Sequence, residues 1–118
     1  MTRPRAGEIV IVDWRVDTRP KEPTKTRPAI VAEDSDLFPD EYPNLLVVPL
    51  TTDPGLAHQT FAEPLEPTAE NGATAPCWAL AHHVTSVSLQ RVTATGSRVT
   101  GQQLASIRRR AALALGAE

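Results

Sequence analysis

The sequence predicts a mainly β domain closed by one C-terminal helix, in outline a small β-barrel. Three observations point there. Short β-branched and aliphatic runs recur at Glu8–Trp14, Pro28–Ala32 and Leu45–Leu50, each of strand length. Eleven prolines, spread along 118 residues, cut the chain into short pieces, as in β-rich domains with irregular loops. The helical signal sits at the end, beginning at Thr100.

Glu8–Trp14 reads as a first buried strand, with Trp14 as a core anchor. Arg15–Thr26 carries Pro20, Pro23 and alternating charges without hydrophobic periodicity, so it is a loop, of a length that in small domains is often functional. Pro28–Ala32 starts a second strand at a proline, a position strands tolerate. The acidic Glu33–Asn44 reads as a surface excursion, and Leu45–Leu50 as a third strand ending in the polar turn Thr51–Gly55. Phe61–Leu65 fits a short edge strand, Glu66–Pro76 a loop, and Cys77–Val84 a fourth main strand. Thr85–Gln90 is expected to turn briefly before a strand at Arg91–Thr95 closed by Gly96. Thr100-Gly101-Gln102-Gln103 has capping-box spacing, and Val99 with Leu104 makes the matching staple. Leu104, Ile107, Ala111 and Ala114 or Leu115 then recur at helical spacing up to Gly116. Arg108-Arg109-Arg110 is expected chiefly to complement the negative end of the helix dipole, with RNA contact as the other role open to it.

A chain of this length suits a single domain spanning residues 1–118, with one core and no need of disulfides. The lone Cys77 excludes a disulfide framework and a cysteine zinc cluster and reads as buried packing. The apolar run Ile9–Val12, bounded by Glu8 and Asp13, is too short for a signal peptide or membrane span, so a cytoplasmic protein with no membrane contact is expected. Net charge is −2, but it is segregated: seven Lys or Arg against four carboxylates in Met1–Arg27, none against nine in 28–90, and five against one from Arg91 onward. If the two ends meet in space they build a local positive field; otherwise this is ordinary solvated charge. His58, His82 and His83 lack ligand-like spacing, so neither metal nor cofactor is expected.

Function enters with Lys25-Thr26-Arg27-Pro28-Ala29-Ile30-Val31. It sets a fork-shaped, permanently charged guanidinium at the mouth of an apolar strand, with Pro28 stiffening the backbone behind it. Such an arginine can hold a phosphate bidentately and steady the charge that develops on it, which points to RNA as substrate. Taken alone, an arginine before a proline also fits a surface ion pair.

Ala6–Asp13, Lys25–Val31, Val48–Thr52, Ala79–Val87 and the final helix, in this order, resemble the MazF/PemK/Kid toxins over nearly the whole chain. That family's pattern runs from a GEI/V-V-V-D strand through K-x-R-P-A-V-V and V-P-L-T to a C-terminal helix. The resemblance implies an SH3-like small barrel of the CcdB/MazF type. It implies a homodimer, a metal-independent endoribonuclease acting on single-stranded RNA at short sequences, and a cognate MazE-like antitoxin. Arg27 matches the catalytic arginine before the R-P-A motif and Thr51 the catalytic threonine ending the third strand. Glu22 stands where relatives carry the glutamate of a G-S-E-Q loop. Lys25, Thr52, Arg19 and Lys21 are the expected RNA contacts.

Cutting RNA without a metal uses the ribose 2′-OH as nucleophile, so the protein must transfer protons and stabilise a dianionic five-coordinate phosphorus. Arg27 is expected to bond the non-bridging oxygens and assist protonation of the leaving 5′ oxygen. The Thr51 hydroxyl would position the phosphate, and Glu22 would accept the 2′-OH proton or orient Arg27. Two departures stand out. Relatives commonly carry Asp-Gln where this chain has His82-His83, so His82 is the expected substitute for an acidic group in proton transfer; the swap also fits altered RNA preference or lost activity. Pro20 and Pro23 flank Lys21-Glu22 where relatives have Gly and Gln. The competing function is a non-catalytic protein-binding module on the same barrel, since fold alone does not fix activity.

Overall fold

The computed structural model describes residues 3–14 and 26–117. Within them seven strands and one helix follow in order: β1 Glu8–Asp13, β2 Thr26–Val31, β3 Asn44–Thr51, β4 Ala62–Leu65, β5 Cys77–Leu80, β6 Thr85–Ser88, β7 Val92–Arg98 and α1 Gly101–Ala114. All pairings are antiparallel, in the order β4-β5-β3-β2-β1-β7, with β6 also on β3. This is the mainly β architecture with a terminal helix that the sequence predicts.

The β-branched runs are continuous because the central strands are buried on both faces. Side chains alternate along a strand, so neighbours enter different cores. Ile9, Ile30 and Val48 join Leu50, Leu65, Ala79, Val99 and Ile107 in one cluster, which α1 covers. Val10, Val12, Ala29, Val31, Leu45 and Val47 join Val87 in the other, where Trp14 packs at the margin. Gly7 enters β1 at φ +89°, a conformation favouring glycine, and its N–H and carbonyl bond Val31 and Val99.

The helix begins as its sequence requires. The Thr100 hydroxyl accepts from the Gln103 N–H and the Gln103 side chain accepts from the Thr100 N–H, a complete capping box. Thr100→Ala is therefore expected to lower stability by about 1 kcal/mol, read as a shift in urea midpoint at unchanged slope. Leu104, Ile107 and Ala111 face the sheet, whereas Leu115 is 74% exposed.

Four expectations are revised. Cys77–Val84 is not one strand: β5 ends at Leu80, Ala81–His83 forms a 3₁₀ turn, and Thr85–Ser88, expected to turn, is β6. Both strands pair with the same edge of β3, Ala79 opposite Leu50 and Thr85 opposite Val47, so Leu80–Val84 stand against Val48-Pro49 alone. Pro49 has no N–H for a ladder, which favours a detour there. Arg108 and Arg110 do not serve the end of the helix. Arg108 donates to the carbonyls of Ala32 and Glu33, and Arg110 to Glu63 (2.9 Å) and the Thr60 carbonyl, tying α1 to the strands beneath it.

The excursion after β2 is anchored rather than merely superficial. Glu33 is 3% exposed and takes a two-pronged bond from Arg3 (2.9 and 3.0 Å), whose guanidinium also donates to the Tyr42 and Asn44 carbonyls. Among the described residues, three basic residues of the chain ends pair with the acidic middle, Arg3 with Glu33, Arg5 with Asp36 and Arg110 with Glu63.

Candidate active site

β2 lies on β3 with Ala29 opposite Pro49; carried two residues further, that register sets Arg27 opposite Thr51. Two positions distant in sequence thus come to line the same two cavities. Arg27 is exposed, and among the described residues its guanidinium has no hydrogen-bond or ion-pair partner. Thr51 is 8% exposed yet reaches open space. Arg27, Leu50 and Thr51 form a ridge between two cavities, of about 360 and 430 Å³.

The first cavity is walled by Ile9, Ile11 and Pro28 on one side and by the loop through Asn71–Ala75 on the other, with Thr52 at its rim. Asn71 is the loop's internal tie: its Oδ1 accepts from the Thr68 and Ala73 N–H groups, and its Nδ2 donates to the Glu66 carbonyl. Cys77 forms part of this wall. Burial, helped by the Glu66 carboxylate, pushes its thiol above the ordinary range, so little thiolate exists near neutral pH. Native protein is expected to react with a disulfide reagent at pH 7.5 far more slowly than the same chain in urea.

The second cavity lies across the ridge. Trp14, Asp53, Leu56, Leu80, His83 and Thr85 complete it. The Thr51 hydroxyl accepts from the Asp53 N–H (3.1 Å), which leaves its own proton for donation. Asp53 accepts from the Gly55 N–H (2.8 Å) and caps the 3₁₀ turn Pro54–Leu56.

The two adjacent histidines part company on their 3₁₀ turn. His83 is exposed and lines the second cavity together with Arg27 and Thr51. His82 lines neither cavity beside Arg27 and packs among rings, 5.5 Å from Phe61, 5.9 Å from His58 and 4.3 Å from His83 between centroids. Its Nδ1 is buried without a partner. Burial first, then the neighbouring His83 and His58, holds its pKa below the usual imidazole value, so it is neutral at pH 7.

Of the residues expected from sequence, Arg27, Thr51 and Thr52 therefore meet at one site and His82 stands behind it. Glu22, Arg19, Lys21 and Lys25 lie outside the described residues. His83 and Asp53 are the cleft groups that sequence reasoning passed over. Asp53 reads as a turn former in Thr51–Gly55, and choosing between His82 and His83 required knowing that the strand breaks. Among the described residues no group of three or more His, Cys, Asp or Glu side chains converges to hold a metal ion.

Fold and cleft define a class: a small β-barrel beneath one C-terminal helix, with an arginine and a hydroxyl presented together on its open side. The chain belongs to the PemK-like, MazF-like toxin family of type II toxin–antitoxin systems, whose family profile matches residues 5–115. Members of that family are generally endoribonucleases.

Solved structures agree on the fold. MazF from Deinococcus radiodurans superposes with a TM-score of 0.74 at 22% identity, covering 96% of each chain. A MazE-MazF structure from the same organism gives 0.78 at 21%, covering 98% of this chain and 97% of that one. The Mycobacterium tuberculosis toxin MazF-mt6 gives 0.71 at 19%, covering 94% and 98%. A search of curated protein sequences returns no significant match. Among the described residues no helix is long and apolar enough to cross a membrane.

Proposed function

We propose that this chain is the toxin of a type II toxin–antitoxin system and cuts single-stranded RNA at short sequences, without a metal ion, by attack of the ribose 2′-OH. The observation that supports this best is that the exposed Arg27, with no partner among the described residues, lines the same two cavities as Thr51, in a chain of this family. Arg27 bonds the non-bridging oxygens of the scissile phosphate, and Thr51 donates its hydroxyl proton to the same group. Cavities on both sides of the ridge give the flanking nucleotides somewhere to lie. Glu22 accepts the 2′-OH proton or orients Arg27, and Lys25, Thr52, Arg19 and Lys21 hold the strand.

The toxin acts in the cytoplasm as a homodimer and is restrained by a MazE-like antitoxin. Similar folds include complexes of MazE with MazF and an endoribonuclease with its cognate antitoxin from a mycobacterial species. The deciding experiment incubates the purified protein with a long single-stranded RNA in EDTA and sequences the new 5′ ends. Cuts clustering at one short motif support the proposal. Intact RNA across mixed sequences overturns it in favour of a non-catalytic protein-binding module.

A further inference from the structure

Cleavage through the 2′-OH needs two proton transfers, one from the nucleophile and one to the leaving 5′ oxygen. An acceptor for the first is at hand in Asp53, which lines the second cavity. A donor for the second is harder to find. A guanidinium does not give up its proton in a protein, and a carboxylate has none to give near neutral pH. Threonine hydroxyls and the Trp14 indole are weaker donors still. Among the described side chains that line this cavity with Arg27 and Thr51, the imidazole of His83 is the remaining general acid–base group.

Resting on the ribonuclease reading, we propose that His83, not its neighbour His82, donates the proton to the leaving 5′ oxygen. His83 shares one cavity with the guanidinium and the hydroxyl that would hold the phosphate. His82 is turned into the ring cluster with His58 and Phe61, its Nδ1 enclosed and without a partner. It lines neither cavity beside Arg27. Its ring meets that of His83 edge-on at 63°, which limits how far His83 can swing.

As the 2′ oxygen bonds to phosphorus, its proton passes to the carboxylate. The P–O5′ bond breaks, its electron pair leaves on O5′, and O5′ takes the His83 proton. The products are a 2′,3′-cyclic phosphate and a 5′-hydroxyl end, and nothing else is consumed.

The test compares two linkages at the cleavage site, the natural one and a 5′-bridging phosphorothiolate, whose sulfur leaves without needing a proton. His83→Ala and His83→Gln are expected to slow cleavage of the natural linkage by about 10²–10⁴-fold and to lose most of that penalty on the sulfur linkage. Urea midpoints check that both variants fold, as an exposed position favours. Equal penalties on both linkages, or no penalty on the natural one, would overturn the assignment. So would a His82→Ala variant that carries the linkage-dependent penalty in place of the His83 variants. Wild-type protein that cuts neither linkage would instead overturn the ribonuclease reading itself.

Discussion

Arg27→Ala is expected to slow RNA cleavage by about 10²–10³-fold while shifting the urea midpoint hardly at all. These two halves follow from different observations. The guanidinium is exposed and no described residue pairs with it, so removing it orphans none of the described residues. Surface substitutions of that kind stay within about 0.5 kcal/mol. On the proposed mechanism, however, it is the fork aimed at charge that grows on the phosphorus oxygens, and an ammonium cannot reproduce that bidentate geometry. Arg27→Lys is accordingly expected to recover only part of the rate. Single-turnover cleavage of one defined RNA measures both variants. Full activity in Arg27→Ala would show that the ridge is not where chemistry occurs.

Arg3→Ala is expected to destabilise the protein by about 3–5 kcal/mol, the largest stability effect foreseen for a single substitution. Arg3 and Glu33 are buried together, their side chains 4% and 0% exposed. Losing the guanidinium leaves a carboxylate uncompensated and strips the Tyr42 and Asn44 carbonyls of their donor. The rings of Phe38 and Tyr42, 5.5 and 5.8 Å from the guanidinium carbon, lose their cation as well. Set against a total of about 5–15 kcal/mol for a domain, the variant stands near its folding threshold. Urea unfolding monitored by circular dichroism reads the loss. Arg3→Lys keeps the charge without the fork and should fall between the two. A midpoint within experimental error of wild type would mean that the pair is dispensable.

What could be read from the chain, and what could not, divides by the range of the signal. β1 and β3 announce themselves because unbroken runs such as Ile9–Val12 and Leu45–Val48 suit strands buried on both faces. The start of α1 is equally legible, since a capping box is written in four consecutive residues. The break after Leu80 is not, because Cys77–Val84 is apolar enough for one strand and the feature favouring the detour, Pro49, lies on the partner strand. Arg3 and Glu33 likewise carry no local mark of their pairing across thirty positions. At the cleft, Arg27 and Thr51 emerged from a family pattern, and the geometry that sets them opposite each other is a consequence of strand register. The respective orientations of His82 and His83 depended on the same break and stayed hidden with it.

That detour has an evolutionary meaning. Ala81–His83 leaves the β3 ladder between two strands anchored on it, so the exposed His83 can be exchanged while the flanking pairs stay fixed, whereas Ala81 is held in the core. A chain on this scaffold can then vary that wall of the second cavity at small thermodynamic risk, without first having to rebuild the sheet.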